Sequence, residues 1–222
     1  MTPAPAAAAG PIAVLDYGIG NLRSVEKALR QVGADAHLVA DPDVASAAAG
    51  LVLPGVGAFG RCAEALRRSG LDQVARDAIG RGRPLLGVCV GMQLLYEGSE
   101  ESPGVPGLGV LPGVVRLLPP GVKRPQMQWN RLAVVDPACP LLAGPELAPP
   151  AEPWMYFVHS YGAPAGDAVV AVCDYGGPVP AVVGHDALWA TQFHPEKSGA
   201  DGLALLANFA ALVAARGRPR RR

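Results

Sequence analysis

The sequence predicts an α/β fold in which a mixed, mostly parallel sheet is covered by helices on both faces. Short apolar runs that are typical of buried strands alternate with helical patterns along the first half of the chain. Apolar residues make up 50% of the 222 residues and charged residues 17%, a balance that suits a globular protein. This length also suits one domain with a sizeable core.

The first half of the chain contains four predicted strands, at residues 12–16, 36–39, 51–53 and 84–88. Pro54 and Gly55 are expected to end the third strand. A helix is expected after the first strand because one face carries apolar residues at helical spacing, namely Leu22, Val25, Leu29 and Val32. Further helices are expected at 58–68 and from Met92 onward to Glu97. Such alternation favours parallel strands, which need crossover connections.

The second half has shorter apolar runs between turns. Strands are expected at 108–112, 114–118, 132–135, 154–158 and 169–173. A hairpin of 179–185 and 188–193 is expected to turn near Gly184, His185 and Asp186. The last helix is expected at 202–215. Because neither a repeat nor a linker interrupts this order, residues 11–215 are predicted to form one domain.

The two ends of the chain differ in composition from the rest. Residues 1–10 are rich in Ala and Pro and are expected to form a disordered lead-in, whereas residues 216–222 are expected to form a solvated basic tail. The lead-in lacks the basic and apolar regions of a signal peptide. No apolar run approaches the roughly 18 residues of a membrane span. A cytoplasmic protein is therefore expected.

Charge and cysteine spacing exclude several classes of partner. The formal net charge is zero, which gives no broad electrostatic footprint for a nucleic acid or an anionic membrane. The four cysteines match neither a zinc nor a CxxC pattern. They are Cys62, Cys89, Cys139 and Cys173. We expect reduced thiols and no metal site, with only Cys89 needed for chemistry.

The stretch 85–93, Leu-Leu-Gly-Val-Cys-Val-Gly-Met-Gln, predicts a nucleophile elbow. A buried strand runs into Gly-x-Cys-x-Gly and then a helix, which is the elbow of hydrolases with cysteine in place of serine. Gly87 and Gly91 allow neighbouring backbone to pass close to Cys89. The helix N-terminus is expected to favour the thiolate, and the Val90 amide to face a developing oxyanion. The alternative is a buried structural cysteine between two packing glycines.

A second segment supplies a base and a carboxylate that orients it. His194 and Glu196 flank Pro195, and residues two apart in an extended segment point the same way. Pro195 restrains His194 toward extended geometry. We therefore expect Glu196 to orient the imidazole while the other ring nitrogen faces Cys89, as in a catalytic triad. His159, after an apolar strand, is expected to be a packed core histidine, with a functional role as the alternative.

Several motifs together resemble those of the class I (triad) glutamine amidotransferases. The resemblance covers roughly residues 12–214 and implies the flavodoxin-like fold of that family. More narrowly, the chain is similar to glutaminase subunits of imidazole glycerol phosphate synthases. The motifs are Asp-Tyr-Gly-Ile-Gly-Asn-Leu at 16–22, Leu-Pro-Gly-Val-Gly-Ala-Phe at 53–59, Gly-Val-Cys-Val-Gly-Met-Gln at 87–93, Met-Gln-Trp-Asn at 127–130, Tyr-Phe-Val-His-Ser-Tyr at 156–161 and Gln-Phe-His-Pro-Glu-Lys-Ser at 192–198.

The resemblance implies a role for each matching residue. Cys89 matches the nucleophile, His194 the base and Glu196 the acid that orients it. The amides of Gly57 and Val90 match the oxyanion hole. The positions that bind the glutamine substrate are matched by Gln93, Ser160 and Tyr161. The face that docks on a partner is matched by Asn21, Trp129, Asn130, Tyr156 and Lys197.

Three positions depart from the family pattern. Gln126 and Gln128 stand in Gln-Met-Gln-Trp-Asn, where the family often has His-Met-Gly-Trp-Asn, so the resemblance leaves the fine structure of this interface loop open. Val90 stands where leucine is usual, but only its backbone amide is needed.

The family's activity implies hydrolysis of L-glutamine to L-glutamate and ammonia without a metal or organic cofactor. A chain of this length holds little beyond the glutaminase, so the acceptor of ammonia is expected on another chain. The resemblance implies a heterodimer with a cyclase subunit, a (β/α)8 barrel. Together they would make imidazole glycerol phosphate and aminoimidazole carboxamide ribonucleotide in histidine biosynthesis. As a hypothesis, the free subunit holds a peptide between Gly55 and Gly57 with its carbonyl toward Cys89.

Three alternatives stay open at this point. A glutaminase for anthranilate, GMP or pyridoxal phosphate synthesis shares the superfamily, although the Tyr-Gly-Ile-Gly-Asn start and the Gly-Met-Gln elbow favour histidine biosynthesis. A stand-alone cysteine peptidase or hydrolase would cleave peptides rather than free glutamine. A non-catalytic binding subunit would not need Cys89, His194 and Glu196.

Overall fold

An eight-stranded sheet forms the centre of the computed structural model, which describes residues 10–216. Most of the predicted lead-in and basic tail therefore lies outside the described residues. Along the sheet the strands follow the order β2 (Ala36–Val39), β1 (Ile12–Leu15), β3 (Gly50–Gly55), β4 (Leu85–Cys89), β13 (Leu188–Thr191), β12 (Pro178–His185), β11 (Val169–Asp174) and β8 (Ala133–Val134). The first five are parallel and the last three are antiparallel to their neighbours. The predicted mixed, mostly parallel sheet is confirmed.

Helices cover the two faces of this sheet in two groups. The helices are α1 (Leu22–Gln31), α2 (Pro42–Ala47), α3 (Phe59–Arg68), α4 (Leu71–Gly80), α5 (Val90–Gln93) and α6 (Gly199–Arg216). One group is α1 with α6, and the other is α4 with α2 and α3. Because both faces are covered, every residue of β1, β3, β4 and β13 is buried.

Two of these helices were not predicted. The six residues of α2 are too few to show an apolar period, but the carboxylate of Asp41 caps its first turn and Pro42 begins it. The second, α4, follows α3 after two residues, Ser69 and Gly70, and Gly70 is left-handed with a φ of 73°. Helix α4 lies against β3 and β4, and α2 lies against α4 and β2.

Two small sheets lie beside the main one. In the first, β6 (Val114–Leu117) pairs with β5 (Gly98–Ser99) and with β10 (Tyr161–Gly162). In the second, β7 (Gln126–Arg131) pairs antiparallel with β9 (Trp154–His159). The interface loop expected at 126–130 is therefore a strand.

Two further predictions about strands are wrong. Residues 108–112 form no strand, because the amides of Leu108 and Val110 donate to the carbonyls of Leu94 and Leu95 in a loop. The third strand does not stop before Pro54 but continues to Gly55, which pairs in register with Cys89. Proline is tolerated there because it lies at the end of the strand.

The C-terminal helix α6 is long and apolar enough to cross a membrane, by length and composition alone. Its apolar side chains instead fill the interface with the sheet and α1. Four of them are fully buried, namely Leu205, Leu206, Phe209 and Val213. A helix of the protein core meets the same criteria of length and composition.

Candidate active site

The end of β4 places Cys89 at the carboxyl edge of the parallel strands, between β3 and β13. The φ and ψ angles of Cys89 are 55° and −112°. Such a conformation is strained for any residue except glycine, by about 1–3 kcal/mol. It is the sharp strand-to-helix turn of a nucleophile elbow.

The glycines on either side of Cys89 are required by close backbone contacts. A Cβ atom on Gly91 would lie 1.8 Å from the carbonyl oxygen of Leu53, and one on Gly87 would lie 3.0 Å from the carbonyl oxygen of Gly91. The prediction that backbone passes close to both glycines is confirmed.

The helix after the elbow is shorter than expected. It ends at Gln93, and the chain turns through Tyr96, whose amide donates to the Gln93 carbonyl at 3.2 Å. The helix predicted from Met92 to Glu97 is therefore wrong. Because one turn has a small macrodipole, α5 favours a thiolate less than a long helix would. The amide of Val90 opens the helix, where no intrahelical acceptor exists.

His194 and Glu196 form a buried pair beside the elbow. His194 Nδ1 lies 2.9 Å from Glu196 Oε1, and the two side chains are 3% and 1% exposed. The main chain around them is braced by β9: the His194 amide donates to the Tyr156 carbonyl at 3.0 Å. Ser198 Oγ donates to the His194 carbonyl at 2.6 Å and accepts from the Tyr156 amide at 3.0 Å.

The surroundings of His194 favour its charged form. Burial alone would lower the pKa of His194, but hydrogen bonds to Cys89 and Glu196 and their negative charges raise it from 6.5 to about 9. An imidazolium at this position stabilises a thiolate on Cys89. Cys89 can therefore supply a nucleophile, and His194 an acid, to one substrate.

A cavity of about 660 Å³ opens in front of these residues. Cys89, Val90 and His194 line it. The predicted residues that line it are Asn21, Gly57, Cys89, Val90, Gln93, Ser160, Tyr161, His194 and Lys197. Glu196 lies behind His194, and Trp129, Asn130 and Tyr156 lie outside the lining. The structure thus brings at least two members of each predicted group to a common space.

Two of the predicted substrate residues are tied together. Gln93 is 3% exposed, and its Nε2 donates to the Tyr161 carbonyl at 2.9 Å and to Gln192 Oε1 at 3.1 Å. His159 Nδ1 lies 2.8 Å from the same Tyr161 carbonyl. This network holds the backbone of residues 160–161 and the side chain of Gln93 in place beside the cavity.

Sequence reasoning missed two residues of the site. Gln192 is fully buried, and its Nε2 lies 3.8 Å from Cys89 Sγ. Its position two residues before His194 in an extended segment was the available signal. Glu101 lines the cavity, and its Oε2 accepts from the Phe59 amide at 2.7 Å at the start of α3. It follows the elbow motif in the chain, but no local pattern marks it.

His159 is packed as expected, but its ring also lines the cavity. Burial lowers the pKa of His159 from 6.5 to about 4, so the ring is neutral at physiological pH. Because a carbonyl only accepts, Nδ1 carries the proton. Nε2 is then an acceptor, and it has no hydrogen-bond partner within residues 10–216.

The segment expected to complete the oxyanion hole lies between β3 and α3. Gly57 has a φ of 84°, which glycine adopts readily, and lines the cavity with Val90. The Val56 carbonyl accepts from Cys62 Sγ at 3.2 Å. Two peptide groups join Gly55 to Gly57. The carbonyl of the second, Val56–Gly57, points to Cys62 and not to Cys89. This is contrary to the hypothesis for that peptide.

The residues predicted to form a docking face lie on β7 and β9 and along the lining of the cavity. Trp129 lies directly opposite Tyr156, and their ring centroids are 6.0 Å apart in an edge-to-face arrangement. Trp129 is 47% exposed. Asn130 instead turns its amide to the Asp174 carbonyl, at 2.9 Å. Asn21 and the exposed Lys197 line the cavity.

Comparisons with known proteins agree with this geometry. The family model for glutamine amidotransferase class-I matches residues 13–212. An "Imidazole glycerol phosphate synthase subunit HisH" from Methanothermobacter thermautotrophicus is 49% identical over 205 residues, which cover 92% of this chain and 100% of the relative. The subunit of the same name from Salinibacter ruber is 50% identical over 210 residues, 90% of this chain and 93% of the relative.

Solved structures of low identity share the fold. A crystal structure of a glutamine amidotransferase matches with a TM-score of 0.71 and 23% identity, covering 91% of this chain and 98% of that chain. The structure of PurLQS from Thermotoga maritima matches with a TM-score of 0.69 and 18% identity, again over 91% and 98%. At these identities the matches concern the fold alone.

Proposed function

This chain belongs to the class I glutamine amidotransferase family, and we propose that it is the glutaminase subunit of an imidazole glycerol phosphate synthase. In this proposal it hydrolyses L-glutamine to L-glutamate and passes the ammonia to a second subunit. The observation that carries the proposal is the buried His194–Glu196 pair at 2.9 Å, facing the same cavity as the strained Cys89.

The first half of the reaction forms a thioester. The Cys89 thiolate attacks the side-chain carbonyl carbon of glutamine, and the carbonyl oxygen becomes an oxyanion. Val90 and Gly57 line the cavity, and in this proposal their amides stabilise the oxyanion, by about 3–4 kcal/mol for each donor. His194 then gives its proton to the amide nitrogen, the C–N bond breaks, and ammonia leaves.

The second half releases glutamate. A water molecule attacks the thioester carbon while neutral His194 takes one of its protons. The C–S bond breaks, and the Cys89 thiolate is restored beside the reprotonated imidazole. Glu196 acts throughout as the group that orients the ring and stabilises its charge.

The polar groups of the cavity suit free glutamine. Glu101 is a carboxylate on the lining that can pair with the α-ammonium group of the substrate. The backbone of Ser160 and Tyr161 lies on the same lining and can meet the α-carboxylate. Gln93 holds this backbone in place through the Tyr161 carbonyl.

The relatives' name, synthase subunit, supports a partner subunit for this chain. The face of β7 and β9 that carries Met127, Trp129 and Trp154 offers an apolar docking surface, because these side chains are 62%, 47% and 46% exposed. Asn21 and Lys197 line the cavity. In our proposal the partner is a cyclase with a (β/α)8 barrel, and it receives ammonia directly from this cavity.

A direct partner is chemically necessary for this role. Ammonia released into water at neutral pH becomes ammonium, which is not a nucleophile, so a protected route is needed. The products of the complex would be imidazole glycerol phosphate and aminoimidazole carboxamide ribonucleotide. We propose a cytoplasmic location, because all four cysteines are free thiols and such thiols persist in reducing compartments.

The experiment that tests the proposed chemistry traps the thioester. The protein with its partner is mixed with glutamine, quenched in acid, and its peptides are analysed by mass spectrometry. A glutamyl group is expected on Cys89 and not on Cys139, and it should be absent from the His194→Ala variant. A complex that forms glutamate with no label on Cys89 contradicts the proposal.

A further inference from the structure

Two carbonyls of residues 54–57, here called the oxyanion strand, are held by side chains from outside it. The Tyr17 hydroxyl donates to the Pro54 carbonyl, and the Cys62 thiol donates to the Val56 carbonyl at 3.2 Å. Tyr17 is 6% exposed and Cys62 is 0% exposed.

The hydrogen bond from the Cys62 thiol to the Val56 carbonyl fixes the direction of the Gly57 amide. The Val56–Gly57 peptide is trans, since the only cis peptides of the described residues precede Pro125 and Pro150. In a planar trans peptide the C=O and N–H groups point in opposite directions. The Gly57 N–H therefore points away from Cys62, and Gly57 lies on the cavity that contains Cys89.

Regular secondary structure does not fix this peptide. Val56 lies after the end of β3 at Gly55 and before α3, which begins at Phe59. A sheet ladder or a helix therefore does not set its orientation. Burial raises the pKa of the Cys62 thiol, so that it stays protonated and able to donate. Because S–H is a weak donor, the peptide is held but remains able to turn.

We propose that Cys62, supported by Tyr17, is a positioning residue that keeps the Gly57 N–H directed at the oxyanion formed on glutamine. This inference rests on the proposed function and names a residue that acts through the Val56 carbonyl. It revises the expectation from sequence that Cys62 has no part in the chemistry.

The test measures kcat and KM for glutamine hydrolysis by the full chain with its partner. Cys62→Ala removes the donor, and kcat is expected to fall about fivefold, the rate equivalent of about 1 kcal/mol for one hydrogen bond. KM should stay unchanged, because substrate binding does not use this amide. Cys62→Ser keeps a donor and is expected to restore kcat. Cys139→Ala, at a buried thiol outside the cavity lining, is the matched control.

A second readout separates positioning from general damage. Alkylation of Cys89 by iodoacetamide forms no oxyanion, so its rate should be the same in Cys62→Ala and in the unchanged protein. Tyr17→Phe removes the other donor while keeping the ring, and its kcat should also fall at constant KM. This variant tests the proposal even if Cys62→Ala does not fold.

Two results would overturn the proposal. One is an unchanged kcat in both Cys62→Ala and Tyr17→Phe. The other is a Cys62→Ser variant as slow as Cys62→Ala. Failure of the proposed function is distinguishable, since it would show as glutamine hydrolysis that survives Cys89→Ala, whatever the effect at Cys62.

Discussion

The carbonyl of Tyr156 accepts a hydrogen bond from the amide of His194 at 3.0 Å. Tyr156 also packs its ring against Trp129 on the exposed side of β7 and β9. Tyr156 therefore contacts both the proposed catalytic base, His194, and a residue of the proposed docking face, Trp129. A partner that moves this pair of strands can reach His194 through a single hydrogen bond.

The docking face can be tested by removing its central aromatic side chain. Trp129→Ala is expected to weaken binding of the partner subunit tenfold or more, because a buried tryptophan at the centre of an interface typically contributes about 2 kcal/mol or more. Isothermal titration calorimetry measures the effect. The control is Val44→Ala, since Val44 is 56% exposed on α2, away from this face. Equal affinities of the two variants would place the interface elsewhere.

The oxyanion strand can be tested at Gly57. Its φ of 84° and the open space around it mean that Gly57→Ala adds backbone strain and no clash. Gly33, with a φ of 85° and equal space, is a matched control in the turn before β2. Both substitutions should cost about 1 kcal/mol of stability. Only Gly57→Ala should lower kcat, about tenfold; an equal kcat in both variants would remove Gly57 from the chemistry.

The proposed role of Glu101 predicts an effect on substrate binding. Glu101→Gln removes the charge opposite the α-ammonium group, so KM for glutamine should rise about tenfold or more while kcat changes little. The neighbouring Glu100 accepts from the Leu117 amide at 3.0 Å and serves as the control, as Glu100→Gln. Steady-state kinetics would show the reverse pattern, a lower kcat at constant KM, if Glu101 instead acted in the chemistry.

The raised pKa of His194 predicts a pH dependence of stability. His194 has a pKa of about 9 in the folded protein and an ordinary value of 6.5. Its stabilising contribution is fully present below about pH 6.5 and is lost as pH rises through 9, with a total of up to about 3 kcal/mol. Urea unfolding across this range should show the fall.

A pair of histidine variants isolates that contribution. His194→Ala should abolish this part of the fall, whereas His185→Ala, at a side chain 72% exposed, should leave it intact. If the His194→Ala curve fell as steeply as that of the unchanged protein, the stabilisation would come from another group.

The sequence predicts the parts of the site that are local in the chain. The Gly-Val-Cys-Val-Gly and Phe-His-Pro-Glu motifs carry their geometry within a few residues, and the parallel strands carry theirs in apolar runs. The contacts of Gln192 and Glu101 could not be predicted, because each joins segments that meet only after folding. The contact of Cys62 with the Val56 carbonyl is local in the chain, but it depends on the course of the irregular segment between β3 and α3, which no apolar pattern shows.

The strand β7 shows a different limit. Its alternating residues Gln126 to Asn130 have the period of a strand, but the apolar Met127 and Trp129 are exposed while Gln126 is fully buried. A prediction that assigns the apolar residues of β7 to the core therefore buries Met127 and Trp129, which are in fact exposed. Similarly, α5 ends after one turn, and the backbone of Gly107 lies so close to the carbonyl of Tyr96 that a Cβ atom there would be 2.1 Å from its oxygen. No local pattern shows this contact.

In our proposal, Cys89 makes ammonia from glutamine for chemistry on another subunit. The most direct test of this proposal is product formation by the complex of the Cys89→Ala variant, with glutamine or with ammonium at high pH as the nitrogen source. We expect the glutamine-dependent rate to fall at least about a thousandfold, while the ammonium-dependent rate stays near that of the unchanged complex. A Cys89→Ala complex that still uses glutamine, or one that loses both activities while remaining assembled, would contradict it.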